Sequence, residues 1–158
     1  MVRCGIGFDV HAFAANRKLI LGGLEIDYPM GLAGHSDADV VCHAIADALL
    51  GAAGLGDIGM MFPDTDPANR DISSILILEK IIQRLKSHGY KIINVDITII
   101  AQQPKIAPHS ELMCKNIARA LAISPDDINI KGKTTEHLGF TGRKEGIAAM
   151  AVAAIEKQ

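Results

Sequence analysis

The chain has 158 residues, of which 16 are Lys or Arg and 18 are Asp or Glu, and 49% are apolar. This length predicts one domain, residues 1–158, with a large hydrophobic core. The formal net charge of −2 and the absence of a run of basic residues argue against nucleic acid as a partner, because neutralising several phosphates requires a basic face.

Cysteine usage and hydropathy indicate the compartment. Cys4, Cys42 and Cys114 are odd in number and widely spaced, so neither a disulfide framework nor a thiolate zinc site is expected, and a reducing cytoplasm fits. No N-terminal targeting pattern is seen, and no apolar run reaches the roughly 18 residues of a membrane span. We therefore expect a cytoplasmic protein with no membrane association.

The first predicted strand covers residues 2–10 and leads to an Asp-x-His pattern. Asp9 and His11 are two residues apart, so on a strand they share a face and can bind one object. Carboxylate oxygen and imidazole nitrogen are ordinary Zn²⁺ ligands, and three protein ligands leave a fourth position for substrate. Taken alone the pattern is weak, and two solvated polar residues at a strand end are the alternative.

A loop over residues 12–17 and a hairpin over residues 18–26 come next, and then a helix predicted over residues 37–50 with Ser36 at its start. His43 lies on this helix one turn from an acid on either side, Asp39 and Asp47, and is the best candidate for a third ligand. The alternative is a solvated helix face. If His43 binds metal, either Asp47 or a backbone carbonyl is expected to accept its other ring N–H.

The segment 51–67 is rich in glycine and acids, so it is either a connector or a mobile loop over a cation-containing site. Further helices are predicted from residues 71–74 to Gly89 and from Pro108 to Leu121, with strands over 93–99 and 128–131. Propensity alone favours a helix over the Ala-rich residues 147–155. The pattern predicts an α+β domain with a mixed sheet covered by about three helices.

Five stretches together carry a resemblance to a known family: Asp9-x-His11 and residues 35–44, 62–66, 98–105 and 134–143. In them the chain resembles the 2-C-methyl-D-erythritol 2,4-cyclodiphosphate synthases of the non-mevalonate isoprenoid pathway. The resemblance implies a homotrimer with each active site between neighbouring subunits, and a final segment that is a strand despite its propensity. It also implies that the cavity on the threefold axis could hold an isoprenoid diphosphate, as in some relatives.

The resemblance assigns roles to individual residues. Zn²⁺ is expected on Asp9, His11 and His43, and a second divalent cation, Mg²⁺ or Mn²⁺, on Glu136 and the substrate diphosphate. His35 and Thr134 match positions that align the transition state. The implied substrate contacts are Asp9, His11, His35, Ser36, Asp57, Gly59, Phe62, Asp64, Asp66, Ala101, Lys105, Ala107, Lys133, Thr134, Thr135, Glu136, Phe140 and Arg143. Lys133 departs from the family pattern, in which a small or hydroxyl residue is common, and would add a phosphate contact.

The implied reaction is that of a phosphorus–oxygen lyase. It joins the 2-phosphate of 4-diphosphocytidyl-2-C-methyl-D-erythritol 2-phosphate to its own β-phosphorus and releases CMP. The attacking phosphate has a second pKa of about 6, so no general base is required. Positive charge is expected from the metals, helped by Lys105, Arg143 and the N-terminus of the helix after Ser36. The alternatives are a zinc phosphohydrolase with the same ligands and a non-catalytic trimeric ligand carrier with a structural metal.

Overall fold

The chain folds around a five-stranded mixed sheet, seen in a computed structural model that describes residues 1–158. The strands are β1 (Val2–Ala14), β2 (Leu19–Leu21), β3 (Leu24–Ile26), β4 (Gly31–Leu32), β5 (Tyr90–Ile100), β6 (Ile128–Lys133) and β7 (Gly146–Lys157). The order in the sheet is β4-β1-β7-β5-β6, and only β5 and β6 run parallel. β2 and β3 form the separate predicted hairpin.

Three long helices cover one face of the sheet, as predicted. The helices are α1 (Val40–Ala53), α2 (Ile58–Met61), α3 (Ser74–Ser87), α4 (Ser110–Leu121) and α5 (Gly139–Gly142), of which α2 and α5 are single turns. α1 packs against β1 and β7 in the centre of the sheet, and α3 packs against α1 and α4. None of the helices combines the length and apolar composition needed to cross a membrane.

The opposite face of the sheet has no covering layer. Ile6, Phe8 and Val10 of β1 project from it with 65%, 53% and 43% of their surface exposed, beside Met150 and Val152 of β7. Because side chains alternate across a strand, this open face and the helix-covered face belong to the same strands. The sheet therefore exposes a contiguous apolar surface, which is unusual for a protein that stays monomeric.

Two glycines of β1 allow α1 to approach the sheet closely. A Cβ atom added at Gly5 would lie 2.1 Å from the carbonyl oxygen of Ala48, and one at Gly7 would lie 1.9 Å from that of Ala44. Both obstacles are backbone atoms of α1, so no side-chain rotation could make room. Glycine at these positions brings His43 of α1 close to Asp9 and His11 of β1.

The start of α1 differs from the prediction. The helix begins at Val40, and its N-cap is Asp39 rather than Ser36. The Asp39 carboxylate is fully buried and accepts hydrogen bonds from the backbone N–H groups of Val41, Cys42, Gly22 and Gly23. It thereby ties α1 to the turn of the β2–β3 hairpin. Asp39 occupies two of the N–H groups at this end of α1, so they are not available to a substrate phosphate, and the contribution of the helix N-terminus to anion binding stays a prediction.

Other boundaries also differ. β1 continues to Ala14 through part of the predicted loop, since Phe13 and Ala14 pair with β4. The segment 57–67 contains the short helix α2 and the start of a 3₁₀ turn, Pro67–Asn69. The final segment is strand β7, as the resemblance implied and against its helix propensity, because it pairs with β1 on one side and β5 on the other.

Candidate active site and metal centre

Asp9, His11 and His43 converge where β1 passes the first turns of α1. Asp9 Oδ2 lies 2.9 Å from His11 Nε2 and 3.0 Å from His43 Nδ1, and the two ring nitrogens are 3.2 Å apart. All three side chains are partly buried. The predicted group of three metal-binding residues therefore comes together in the fold.

The chemistry of these three atoms fits a divalent cation. His11 Nδ1 lies 2.6 Å from the carbonyl oxygen of Ala33. Because a carbonyl oxygen can only accept a hydrogen bond, Nδ1 carries the proton, and in the neutral ring the lone pair of Nε2 points to the cluster. Ligands about 2.0–2.1 Å from a tetrahedral zinc ion are separated by about 3.3 Å, close to the separations observed. A carboxylate and two imidazoles are a set that Zn²⁺ accepts.

The cluster also shifts the ionisation of its members. Burial by itself would raise the pKa of Asp9, but hydrogen bonds and attraction from His11 and His43 prevail and lower this pKa to about 2. Burial would lower the pKa of His11, but the hydrogen bond and charge of Asp9 prevail and raise it. Asp9 is thus held as an anion, the form that binds a metal.

The expected partner of the second His43 nitrogen was wrong. Asp47 Oδ1 accepts the backbone N–H of Ile58 at 2.8 Å, which holds the start of α2. Nε2 of His43 instead lies 2.9 Å from Ser74 Oγ and 3.1 Å from Ser36 Oγ. Ser74, the first residue of α3, was missed by the sequence analysis, because a serine at a helix start normally indicates a cap.

A cavity of about 250 Å³ opens beside the cluster. It brings together eight predicted site residues, namely Asp9, His11, His35, Ser36, His43, Gly59, Phe62 and Asp64. Ile58, between the predicted Asp57 and Gly59, also lines it, together with Gly34, Asn69, Ile72 and Ile77, which were not predicted. Two other predicted acids cap short helices at its edge: Asp57 accepts from Met60 N at 2.8 Å and Asp66 from Ala68 N at 2.9 Å. Asp66 also lines an adjoining polar cavity of about 500 Å³ that it shares with His35.

A second group of predicted residues lines a different cavity, of about 210 Å³, where β5 and β6 end side by side. Its walls include Ala101, Lys105, Ala107, Lys133 and Thr134. The N–H of Ala101 donates to the carbonyl of Lys133 at 2.9 Å and joins the two segments. This cavity shares no lining residue with the one beside the metal cluster.

The remaining predicted residues follow β6 and lie on the surface. Thr134 Oγ1 donates to Glu136 Oε1 at 2.9 Å, and Thr135 Oγ1 donates to the carbonyl of Leu138 at 2.6 Å. Arg143 forms an exposed ion pair with Glu145 at 2.7 Å, and Phe140 is 38% exposed. None of these side chains lines the cavity beside the metal cluster of the same chain.

Comparisons with known proteins identify the family and the fold. The sequence model of the YgbB family matches residues 2–156. A 2-C-methyl-D-erythritol 2,4-cyclodiphosphate synthase of Bacillus cytotoxicus is 56% identical over 158 residues, 100% of both chains. Among solved structures, the bifunctional IspDF of Campylobacter jejuni matches with a TM-score of 0.96 and 44% identity over 100% of this chain and 43% of that one. IspF of Plasmodium falciparum, a CDP complex, matches with a TM-score of 0.87 and 36% identity over 99% and 97%.

Proposed function

The chain belongs to the YgbB family and is an enzyme of non-mevalonate isoprenoid biosynthesis that forms 2-C-methyl-D-erythritol 2,4-cyclodiphosphate, and we propose that it does so by metal-assisted intramolecular phosphoryl transfer. The proposed substrate is 4-diphosphocytidyl-2-C-methyl-D-erythritol 2-phosphate, and the second product is CMP. The observation that carries the mechanism is the convergence of Asp9, His11 and His43 beside a cavity.

We assign Zn²⁺ to Asp9, His11 and His43, and Mg²⁺ or Mn²⁺ to Glu136 and the substrate diphosphate. When bound, these cations would withdraw charge from the phosphorus under attack and stabilise the departing CMP. The exposed carboxylate of Glu136 supports the second assignment, because Mg²⁺ favours a site shared between a carboxylate and phosphate oxygens.

The protein's own task is to position a flexible, multiply charged substrate. The attacking 2-phosphate oxygen is already largely ionised at neutral pH, so the side chains need to hold it in line with the β-phosphorus rather than deprotonate it. Such positioning can supply about 7–11 kcal/mol of the barrier. His35 and Ser36 line the cavity that we assign to the erythritol phosphate, and Thr134 lines the cavity that we assign to the cytidine diphosphate.

The nucleotide assignment rests on two supports. The relative from Plasmodium falciparum is described as a CDP complex, and it matches this chain over nearly its whole length. The cavity at the ends of β5 and β6 also contains Lys105 and Lys133, two cations suited to the charge of a diphosphate. Contacts from Thr135, Phe140 and Arg143 remain predictions from the resemblance.

We further propose a homotrimer. Each of its active sites would combine the cavity beside the metal cluster of one chain with the cavity at the ends of β5 and β6 of its neighbour. The separation of the two cavities within one chain supports this arrangement. So does the open sheet face, where Ile6 and Phe8 would gain burial against other copies. An isoprenoid diphosphate on the threefold axis and a cytoplasmic location stay predictions.

The deciding experiment incubates the zinc- and magnesium-loaded protein with the proposed substrate and follows products by phosphorus NMR together with CMP release. A cyclic diphosphate with one CMP per turnover is the expected result. An opened, hydrated product would favour the zinc phosphohydrolase, and substrate binding without CMP release would favour the ligand carrier.

A further inference from the structure

The second ring nitrogen of His43, Nε2, begins a series of hydrogen-bonded side chains that has no role in the proposed reaction. Nε2 lies 2.9 Å from Ser74 Oγ, and Ser74 is fully buried. The Ser74 hydroxyl donates a hydrogen bond to Asp37 Oδ1, and the Ser74 backbone N–H donates to Asp37 Oδ2 at 2.9 Å. Asp37 therefore accepts hydrogen bonds from both polar groups of Ser74, which lies 37 residues later in the sequence.

The direction of these hydrogen bonds determines where the proton of His43 lies. A carboxylate can only accept, so the single hydroxyl proton of Ser74 points to Asp37. Ser74 Oγ can then offer only a lone pair to His43, and the imidazole must be the donor through Nε2–H. Ser36 Oγ, 3.1 Å from the same nitrogen, accepts the N–H of Ala38 and has a second lone pair that can accept from Nε2–H. If Ser36 donated its proton to Nε2 instead, the lone pairs of Nε2 and Ser74 Oγ would face each other at 2.9 Å, which is unfavourable.

The consequence reaches the metal cluster on the other side of the ring. In a neutral imidazole with the proton on Nε2, Nδ1 carries a lone pair. That lone pair faces Asp9 Oδ2 at 3.0 Å and His11 Nε2 at 3.2 Å, both of them acceptors. Three acceptors held this close repel one another unless a proton or a metal ion lies among them.

We propose that Ser74 and Asp37 are positioning residues that fix the orientation and tautomer of His43, and thereby raise the affinity of the cluster for its metal ion. The inference rests on the proposed metal centre and adds to it two residues that touch neither metal nor substrate. Ser74 would then do for His43 what the Ala33 carbonyl does for His11, because each accepts a ring N–H and so fixes the tautomer. Outer hydrogen bonds of this kind typically change metal affinity by about 10–100-fold.

The test measures Zn²⁺ affinity of the full chain by competition with a chromophoric chelator, with no substrate present. Ser74→Ala is expected to bind Zn²⁺ about 10–100-fold more weakly than the wild type. Asp37→Asn is expected to lose less, because an amide oxygen can still accept the Ser74 hydroxyl proton. The matched control is Ser73→Ala, which removes an exposed neighbouring hydroxyl that makes no side-chain cap hydrogen bond and is expected to leave the affinity unchanged.

A second measurement separates positioning from a general structural effect. In the zinc-loaded wild type, proton NMR should show a His43 Nε2–H signal protected from exchange with water, and Ser74→Ala should lose this protection while thermal unfolding of the metal-free proteins stays similar. If the wild type binds Zn²⁺ and Ser74→Ala binds it equally tightly, the inference is overturned while the proposed metal centre stands. If Ser74→Ala does not fold, Asp37→Ala decides, because alanine offers no acceptor for the Ser74 hydroxyl proton, and a wild-type affinity in that variant overturns the inference. Failure of the wild type itself to bind Zn²⁺ would instead overturn the proposed metal centre.

Discussion

Replacing Gly7 with alanine tests whether the close contact of β1 with α1 creates the metal cluster. The added Cβ would lie 1.9 Å from the carbonyl oxygen of Ala44 and 2.7 Å from the nitrogen of Ala48, whereas ordinary contact begins at 3.4 Å. Restoring that contact requires the helix and strand to separate by about 1.5 Å. Metal–ligand distances must hold within about 0.2 Å, so a shift of this size would remove His43 from Asp9 and His11.

The expected result for Gly7→Ala is a loss of stability of about 1–3 kcal/mol from overpacking, together with a loss of zinc stoichiometry. Denaturant unfolding measures the first quantity, and chelator competition with metal analysis measures the second. Gly51→Ala is the matched control, because Gly51 lies in α1 and an added Cβ meets nothing within 4 Å. The control should gain about 0.5–1 kcal/mol of stability and keep its zinc.

A third variant distinguishes damage to the site from damage to the fold. Gly5→Ala places its Cβ 2.1 Å from the carbonyl of Ala48, one helical turn further from His43. It should therefore lose comparable stability but less zinc affinity than Gly7→Ala. A folded Gly7→Ala protein that binds zinc as tightly as the wild type would refute the reasoning.

Four further outcomes are expected. Asp9→Ala and His43→Ala should abolish zinc binding and turnover with an unchanged circular dichroism spectrum, and an active zinc-free variant would contradict the ligand assignment. Asp39→Asn should lower the free energy of unfolding by about 1–3 kcal/mol, because its amide NH₂ would face a backbone N–H that needs an acceptor. An unchanged denaturation midpoint would contradict this expectation. Glu136→Gln should raise the Mg²⁺ concentration needed for half-maximal CMP release, and an unshifted titration curve would remove its proposed role. If the protein is the proposed homotrimer, Ile6→Asp should convert it to monomers in sedimentation experiments and lower turnover, whereas a variant that stays trimeric would exclude the open sheet face as the interface.

The sequence predicted the metal cluster, but partly for a reason that does not hold. Asp9 and His11 were identified from strand alternation, a local rule that the fold obeys. His43 was chosen for its acidic neighbours, yet Asp39 turns to the hairpin and Asp47 to α2. These contacts, like that of Ser74, join residues 11 to 31 positions apart, and helical periodicity contains no information about them.

The last strand shows why propensity failed there. Ala149, Ala151 and Ala153 favour a helix in isolation, but in β7 they are fully buried beneath α1. Their small side chains, like the two glycines of β1, let α1 lie close to the centre of the sheet. The composition that suggested a helix therefore serves the packing of a neighbouring helix, which only the tertiary structure reveals.

The distribution of charge around the two cavities explains how a mildly acidic chain can serve a substrate with several phosphates. The walls of the cavity beside the metal cluster contain no Lys or Arg, but they do contain the carboxylates of Asp9 and Asp64. The other cavity holds Lys105 and Lys133. On the proposed function, the nucleotide diphosphate meets two lysines in its own cavity, whereas the nearest arginines to the attacking phosphate, Arg17 and Arg70, line only the adjoining polar cavity. Because the walls beside the metal cluster carry two carboxylates and no Lys or Arg, the cation that we propose on Asp9, His11 and His43 would supply much of the attraction for that phosphate.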